Sequence, residues 1–174
     1  MPPVKKELKK TMKNENIVFI GFMGSGKSSL ARALSQKMDK VYLDSDSLIE
    51  MKFQKSISEI FKIFGEEFFR KEEQKLAYLF SMIDNTVIAT GGGFIHVPNF
   101  KSLGFCIYLR AEFDFLSKHL SLEEKNKRPL FCDEIKAKKL YNKRIKDYEK
   151  KADLIIDIEN KNIKELLEEI IKRI

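Results

Sequence analysis

The stretch NIVFIGFMGSGKSSLARAL, residues 16–34, joins an apolar run to a helical pattern through glycines at 21, 24 and 26. Gly21, Gly26, Lys27 and Ser28 fit the spacing G-x-x-x-x-G-K-[ST] residue for residue. Ile17-Val18-Phe19-Ile20 is short, continuously apolar and largely β-branched, which reads as a buried parallel strand. Leu30, Ala31, Leu34 and Met38 then recur at helical spacing, so a strand, a glycine loop and a helix follow one another. Such a loop can turn its backbone N–H groups toward an anion, and the helix N-terminus adds partial positive charge. Gly24, Ser25, Gly26, Lys27, Ser28 and Ser29 are the expected phosphate contacts. Lys27 would neutralise the terminal phosphates, and the Ser28 hydroxyl would meet magnesium.

The remainder of the chain bounds what surrounds that loop. With 174 residues, 43% hydrophobic and 34% charged, it has the composition of one globular domain. No apolar run approaches the roughly 20 residues of a membrane helix, and MPPVKKELKKT lacks the apolar core of a signal peptide. Cys106 and Cys132 form no disulfide framework or metal-ligand pattern, so a reducing cytoplasm is the expected compartment. Residues 1–13 hold five lysines and one glutamate, which supplies +4 of the net +7. Their lysines are not interleaved with aromatics, so they read as a disordered basic tail rather than a nucleic-acid site. Residues 14–174 read as a single domain, expected to be monomeric.

Further strands are expected at Val41–Leu43, Thr86–Ala89, Phe105–Leu109 and Leu154–Ile156. Helical patterns separate them, which predicts a five-stranded parallel α/β sheet covered on both faces, a three-layer sandwich. Ser47/Glu50 and Ser56/Glu59 each have capping-box spacing and are expected to open helices. The second helix is expected to stop at Gly65. The next is expected over 66–83, with Leu76, Leu79, Phe80 and Ile83 on its inner face, and others near 112–120, 133–151 and 161–173. Residues 121–132, SLEEKNKRPLFC, have no sustained apolar face and contain Arg128-Pro129, and they read as a mobile lid.

In an open parallel sheet, ligands bind beyond the carboxyl ends of the strands. After the second strand come Asp44, Ser45 and Asp46, placing two carboxylates opposite the phosphate loop. One could hold a metal's waters and the other an acceptor hydroxyl. Ser47 is expected to supply the helix cap, leaving the carboxylates for chemistry. After the third strand, Gly91-Gly92-Gly93 lets backbone press against a ligand. Arg144 falls within a helical stripe of Ala137, Leu140, Tyr141 and Tyr148, where a guanidinium requires an anion, either a substrate or an internal salt bridge. Arg70 has acidic neighbours that could solvate it. Arg128 on the lid could reach over a transferred phosphoryl group. His96 and His119 are isolated, and neither is expected to be catalytic.

Taken together, these residues resemble the shikimate kinase family. GFMGSGKSS looks like its phosphate loop, Asp44-Ser45-Asp46 like its Asp-x-Asp motif, and Phe68-Phe69-Arg70 like its F-R before an acidic helix. Thr90–Gly93 and Lys127–Leu130 are similar to its glycine and lid motifs. The resemblance covers the chain from Asn16 to the last helix. It implies the P-loop kinase fold, with a substrate segment at about 45–75 and a lid at about 121–132. It also implies transfer of the γ-phosphoryl group of ATP, with magnesium, to the 3-hydroxyl of shikimate. Asp46, Arg70, Gly91, Gly92, Gly93 and Arg144 would then hold shikimate, with Phe61 and Phe69 lining its pocket and Arg128 touching both reactants. Lys27, Asp46 and Arg128 would be the catalytic groups, and Ser28 and Asp44 the metal ligands. His119 stands where the family commonly has an arginine on adenine, and Arg144–Tyr148 lacks the family's proline. Rival readings are a related kinase acting on gluconate or a nucleotide, and a nucleotide-dependent nucleic-acid module.

Overall fold

Ile17, Val18, Phe19 and Ile20 are all wholly excluded from water. Side chains alternate between the faces of a strand, so four consecutive buried residues mean that both faces are covered. This is β1 (Ile17–Ile20), the central strand in a computed structural model that describes residues 15–120 and 133–174. The tail at 1–13 and the lid at 121–132 with Arg128 lie outside those residues. Along the chain follow α1 (Lys27–Met38), β2 (Val41–Asp44), α2 (Ser45–Phe53), α3 (Ile57–Phe80) and β3 (Thr86–Ala89). Two short 3-10 turns, Phe94–His96 and Phe100–Ser102, lead to β4 (Phe105–Arg110) and α4 (Phe113–His119). The chain ends with α5 (Glu134–Lys151), β5 (Leu154–Asp157) and α6 (Ile163–Arg173).

The sheet order is β2-β3-β1-β4-β5, and every pairing is parallel. Ile17 lies between Val87 and Phe105 in register, and Phe19 between Ala89 and Ile107. Helices flank the sheet, giving the α/β arrangement expected from the alternating apolar segments. Leu30, Ala31 and Leu34 of α1, Ala77 and Phe80 of α3, Ala137 and Tyr141 of α5, and Ile170 of α6 join the strands in one core. A second, smaller cluster of Ile49, Ile60 and Phe69 holds α2 against α3.

Three local expectations change. The first turn of α2 is capped by Asp44, whose Oδ1 accepts from the amides of Asp46 (3.1 Å) and Ser47 (3.2 Å). Ser47 therefore lies inside the helix. A carboxylate at the strand's end reaches the free amides first, and its charge also suits the helix N-terminus. Ser56 and Glu59 do form the expected capping box. On α3 the expected Phe80 is buried and Leu76 packs against the core, joined by Phe69, Glu73 and Ala77, whereas Leu79 is 55% exposed. The helix ends at Phe80, so Ile83 falls beyond it.

Asn16 fastens the entrance of β1. It is buried, donates from Nδ2 to the carbonyls of Phe80 (3.2 Å) and Ile83 (2.7 Å), and accepts at Oδ1 from the amide and hydroxyl of Thr86. One side chain thereby ties β1 to the end of α3 and the start of β3. Asn16→Ala strands several buried polar groups at once and is expected to lower stability by about 3 kcal/mol, read from the urea midpoint.

Candidate active site

The loop between β1 and α1 opens onto the carboxyl edge of the sheet. Gly26, the residue before α1, has φ 75° and offers the helix no side-chain cap. The first amides of α1 thus remain available to an external acceptor. Lys27 Nζ folds back on the loop, donating to the carbonyls of Gly21 (2.8 Å) and Phe22 (2.9 Å). Ser25 is buried beneath the loop, while Ser28 and Ser29 face outward on α1. The end of α4 closes over Gly24, where a Cβ would meet Leu120 Cγ at 3.0 Å and the Leu116 carbonyl at 3.2 Å. His119, in the last turn of α4, stacks on Phe115 with ring centroids 3.9 Å apart. Its Nδ1 lies 2.8 Å from the Phe115 carbonyl.

Across from the loop, Asp44 Oδ2 accepts from Ser28 Oγ at 2.7 Å and from the Tyr42 hydroxyl at 3.1 Å. The Asp44 carboxylate therefore caps α2 with one oxygen and faces the loop with the other. Ser28 and Asp44, the two expected metal ligands, are thus brought side by side.

The glycine turn after β3 brings three of the other expected residues together. A Cβ on Gly91 would lie 2.5 Å from Asp46 Oδ1, and one on Gly92 would lie 2.9 Å from Arg144 Nη1. One on Gly93 would collide with the Arg70 guanidinium. Each glycine thus faces a different charged side chain, from α2, α5 and α3 in turn. The turn is itself held in place, because the Gly91 amide donates to Ser45 Oγ (2.9 Å) and Tyr148 donates to the Gly92 carbonyl (2.7 Å). Tyr148 is fully buried, and burial pushes its phenol up to about 12.

The two arginines differ in what neutralises them. Arg70 pairs with Glu73 at 2.7 Å and Glu66 at 2.8 Å. Arg144 is 8% exposed and makes no ion pair among the described residues. Its charge is felt by the buried carboxyl of Glu73 and it hydrogen-bonds the Tyr148 hydroxyl, so its neighbours among those residues are polar without forming a close salt bridge.

Phe61 and Phe69 also meet, with ring centroids 4.8 Å apart, and the Arg70 guanidinium lies 5.5 Å from the Phe69 ring. Eight residues of continuous α-helix span about 12 Å, so this contact needs a break between them. Gly65 supplies it, with φ 82° and ψ 169° inside α3.

Glu73 is a residue whose place here the sequence does not single out. It is 1% exposed, and its Oε1 accepts no hydrogen bond among the described residues. Burial raises its carboxyl pKa above the ordinary glutamate range, and the negative charge of Asp46 adds to this, while Arg70 and Arg144 oppose it. Its i,i+3 spacing from Arg70 was a visible signal, but it could not be told from a solvated helix pair.

A parallel sheet of this order with a phosphate-binding loop after its central strand defines a P-loop kinase. The family model described as shikimate kinase matches residues 23–174. A shikimate kinase of Helicobacter hepaticus is 43% identical over 144 residues, covering 82% of this chain and 86% of the relative. That of Dictyoglomus turgidum is 42% identical over 168 residues, covering 91% and 96%. The shikimate kinase of Acinetobacter baumannii, solved in complex with shikimate, superposes with a TM-score of 0.85 at 27% identity, over 95% of each chain. The chain belongs to the shikimate kinase family, and it is an ATP-dependent phosphotransferase acting on a hydroxyl group. Among the described residues, no helix is long and apolar enough to cross a membrane.

Tyr148→Phe removes the hydroxyl that holds the Gly92 carbonyl without changing the buried ring. It is expected to cost about 1 kcal/mol, seen as a lower melting temperature.

Proposed function

We propose that this chain transfers the γ-phosphoryl group of ATP to the 3-hydroxyl of shikimate. The observation that carries this reading is Arg144, a buried guanidinium without an ion-pair partner among the described residues, standing on Gly92 between Asp46 and Arg70. A buried cation of this kind calls for an anion, and a planar guanidinium matches a carboxylate with two parallel hydrogen bonds. Shikimate carries one carboxylate and a ring of hydroxyls. Gluconate offers a carboxylate on a flexible chain, and a nucleotide acceptor would need a pocket for a base. Phe61 and Phe69 support a compact ring beside Arg70.

Phosphoryl transfer through a loose transition state asks for positioning and charge stabilisation rather than a strong base. The uncapped amides of α1 and the Lys27 ammonium would hold the phosphates, with Lys27 exchanging its loop carbonyls for phosphate oxygens. Asp46 would orient the 3-hydroxyl and take its proton late in the transfer. Arg128, by resemblance, would cover the transferred group. Ser28 and Asp44 are hard oxygen donors 2.7 Å apart, the kind of protein ligands that magnesium takes alongside waters and phosphate oxygens. When bound there, magnesium would draw charge from the phosphate oxygens. His119 at the end of α4 would lie beside the adenine. Residues 45–75 would form the acceptor's side of the site, in a cytoplasmic enzyme.

The direct test is ADP release with a panel of acceptors: shikimate, gluconate and nucleoside monophosphates. Turnover is expected with shikimate, and turnover with gluconate or a nucleotide instead would refute the assignment. Arg144→Lys keeps the charge but loses the planar fork. It is expected to raise the KM for shikimate about 10- to 100-fold with ATP affinity unchanged. Asp46→Asn is expected to lower kcat by at least about 100-fold while nucleotide binding, followed by calorimetry, stays within about twofold.

A further inference from the structure

The hydroxyl of Tyr42 has no part in the assignments above, yet it reaches the carboxylate at the centre of the metal reading. Tyr42 and Asp44 lie two residues apart on β2, so both side chains leave the same face of the strand. Ser28 and Arg32 lie four residues apart on α1, so both leave one face of that helix. The two pairs meet. Ser28 donates to Asp44 Oδ2 at 2.7 Å, Tyr42 donates to the same oxygen at 3.1 Å, and the Arg32 guanidinium lies 4.9 Å from the Tyr42 ring centroid.

This bracket matters because of where β2 lies. Among the described residues it is an edge strand, paired with β3 on one side, and its first residue, Val41, is 58% exposed. Central strands have their ends fixed from both sides, whereas the end of β2 is fixed from one. Asp44 Oδ1 is bound by the amides of Asp46 and Ser47, which move with α2. Among the described residues, Oδ2 is therefore referred to α1 through Ser28 and through Tyr42 with Arg32.

A serine hydroxyl has one hydrogen and two lone pairs. With its hydrogen directed at Asp44 Oδ2, the lone pairs of Ser28 are aimed by the position of that oxygen. An oxygen that shifts by a few tenths of an ångström re-aims them.

We infer that Tyr42 is a positioning residue for the cation: its hydroxyl fixes Asp44 Oδ2, and through it directs the lone pairs of Ser28 toward the metal. This deepens the proposed function and rests on its reading of Ser28 and Asp44 as the protein ligands of magnesium. Partners that orient ligands in this way are worth about 10- to 100-fold in metal affinity elsewhere.

Manganese, a paramagnetic stand-in for magnesium, provides a readout separate from turnover. It is titrated into the full chain with an equimolar non-hydrolysable ATP analogue, and bound metal is followed by electron paramagnetic resonance. Tyr42→Phe is expected to weaken manganese binding about tenfold, with an unchanged melting temperature. In turnover assays, it should raise the magnesium needed for half-maximal rate, while kcat at saturating magnesium and the KM for shikimate stay the same. Asp44→Asn is the companion variant. If it weakens manganese binding and Tyr42→Phe does not, the metal reading stands and the inference about Tyr42 falls. The inference also falls if Tyr42→Phe tightens binding, since the hydroxyl would then be competing with a metal-bound water for Oδ2. If neither variant changes binding, Ser28 and Asp44 are not the ligands, and both readings fall. A lower melting temperature with unchanged metal affinity would make the contact purely structural and would likewise overturn it.

Discussion

Parallel pairing on both sides of β1 brings the carboxyl ends of all five strands to one edge of the sheet. Everything chemical in this molecule depends on that alignment. The phosphate loop leaves β1, Asp44 closes β2, and the glycine turn follows β3, so segments some 25 to 70 residues apart in sequence meet at a single rim. A parallel sheet cannot be built from hairpins, so each strand is followed by a crossover. The helices that carry Lys27, Asp46, Arg70 and Arg144 are parts of those crossovers. The same geometry that buries β1 supplies the supports of the site.

The glycine turn shows how tightly the rim is filled. Gly91, Gly92 and Gly93 give up side chains, and three helices each send one charged group into the space released. Two of those groups are cations and one is an anion. The buried Glu73 adds a second negative charge behind them. Arg70 is paired within its own helix, while Arg144 is buried without a close ion pair among the described residues. Two arginines in one cleft are thus held differently, one by close ion pairs along its own helix and one without them among the described residues.

Much of this could be read from the residues in order. The apolar runs at 17–20 and 86–89 became strands with those bounds, and the glycine-lysine spacing became a loop before α1. What could not be read depended on contacts between distant segments, or on the rotation of a helix about its axis. Ser47 and Asp44 are both good caps, and only the path of the chain out of β2 decides between them. Leu79 and Ala77 are both apolar, but α3 meets the sheet core on the side of Ala77 and Phe80. Glu73 reads as a surface acid, yet the fold buries it against Arg70. Periodicity finds a helix more readily than it finds which way the helix faces. Arg144 was the exception, because four apolar or aromatic neighbours at helical spacing fixed its direction.

The break in α3 has a consequence for what can occupy position 65. A Cβ there would meet nothing within 4 Å, so the site has room for a larger residue. Its backbone, at φ 82° and ψ 169°, lies in a region that L-residues other than glycine essentially do not enter. The joint thus selects for handedness and not for size. A residue of opposite chirality would fit where every other encoded one is strained, and the position is closed to substitution although it opens onto empty space.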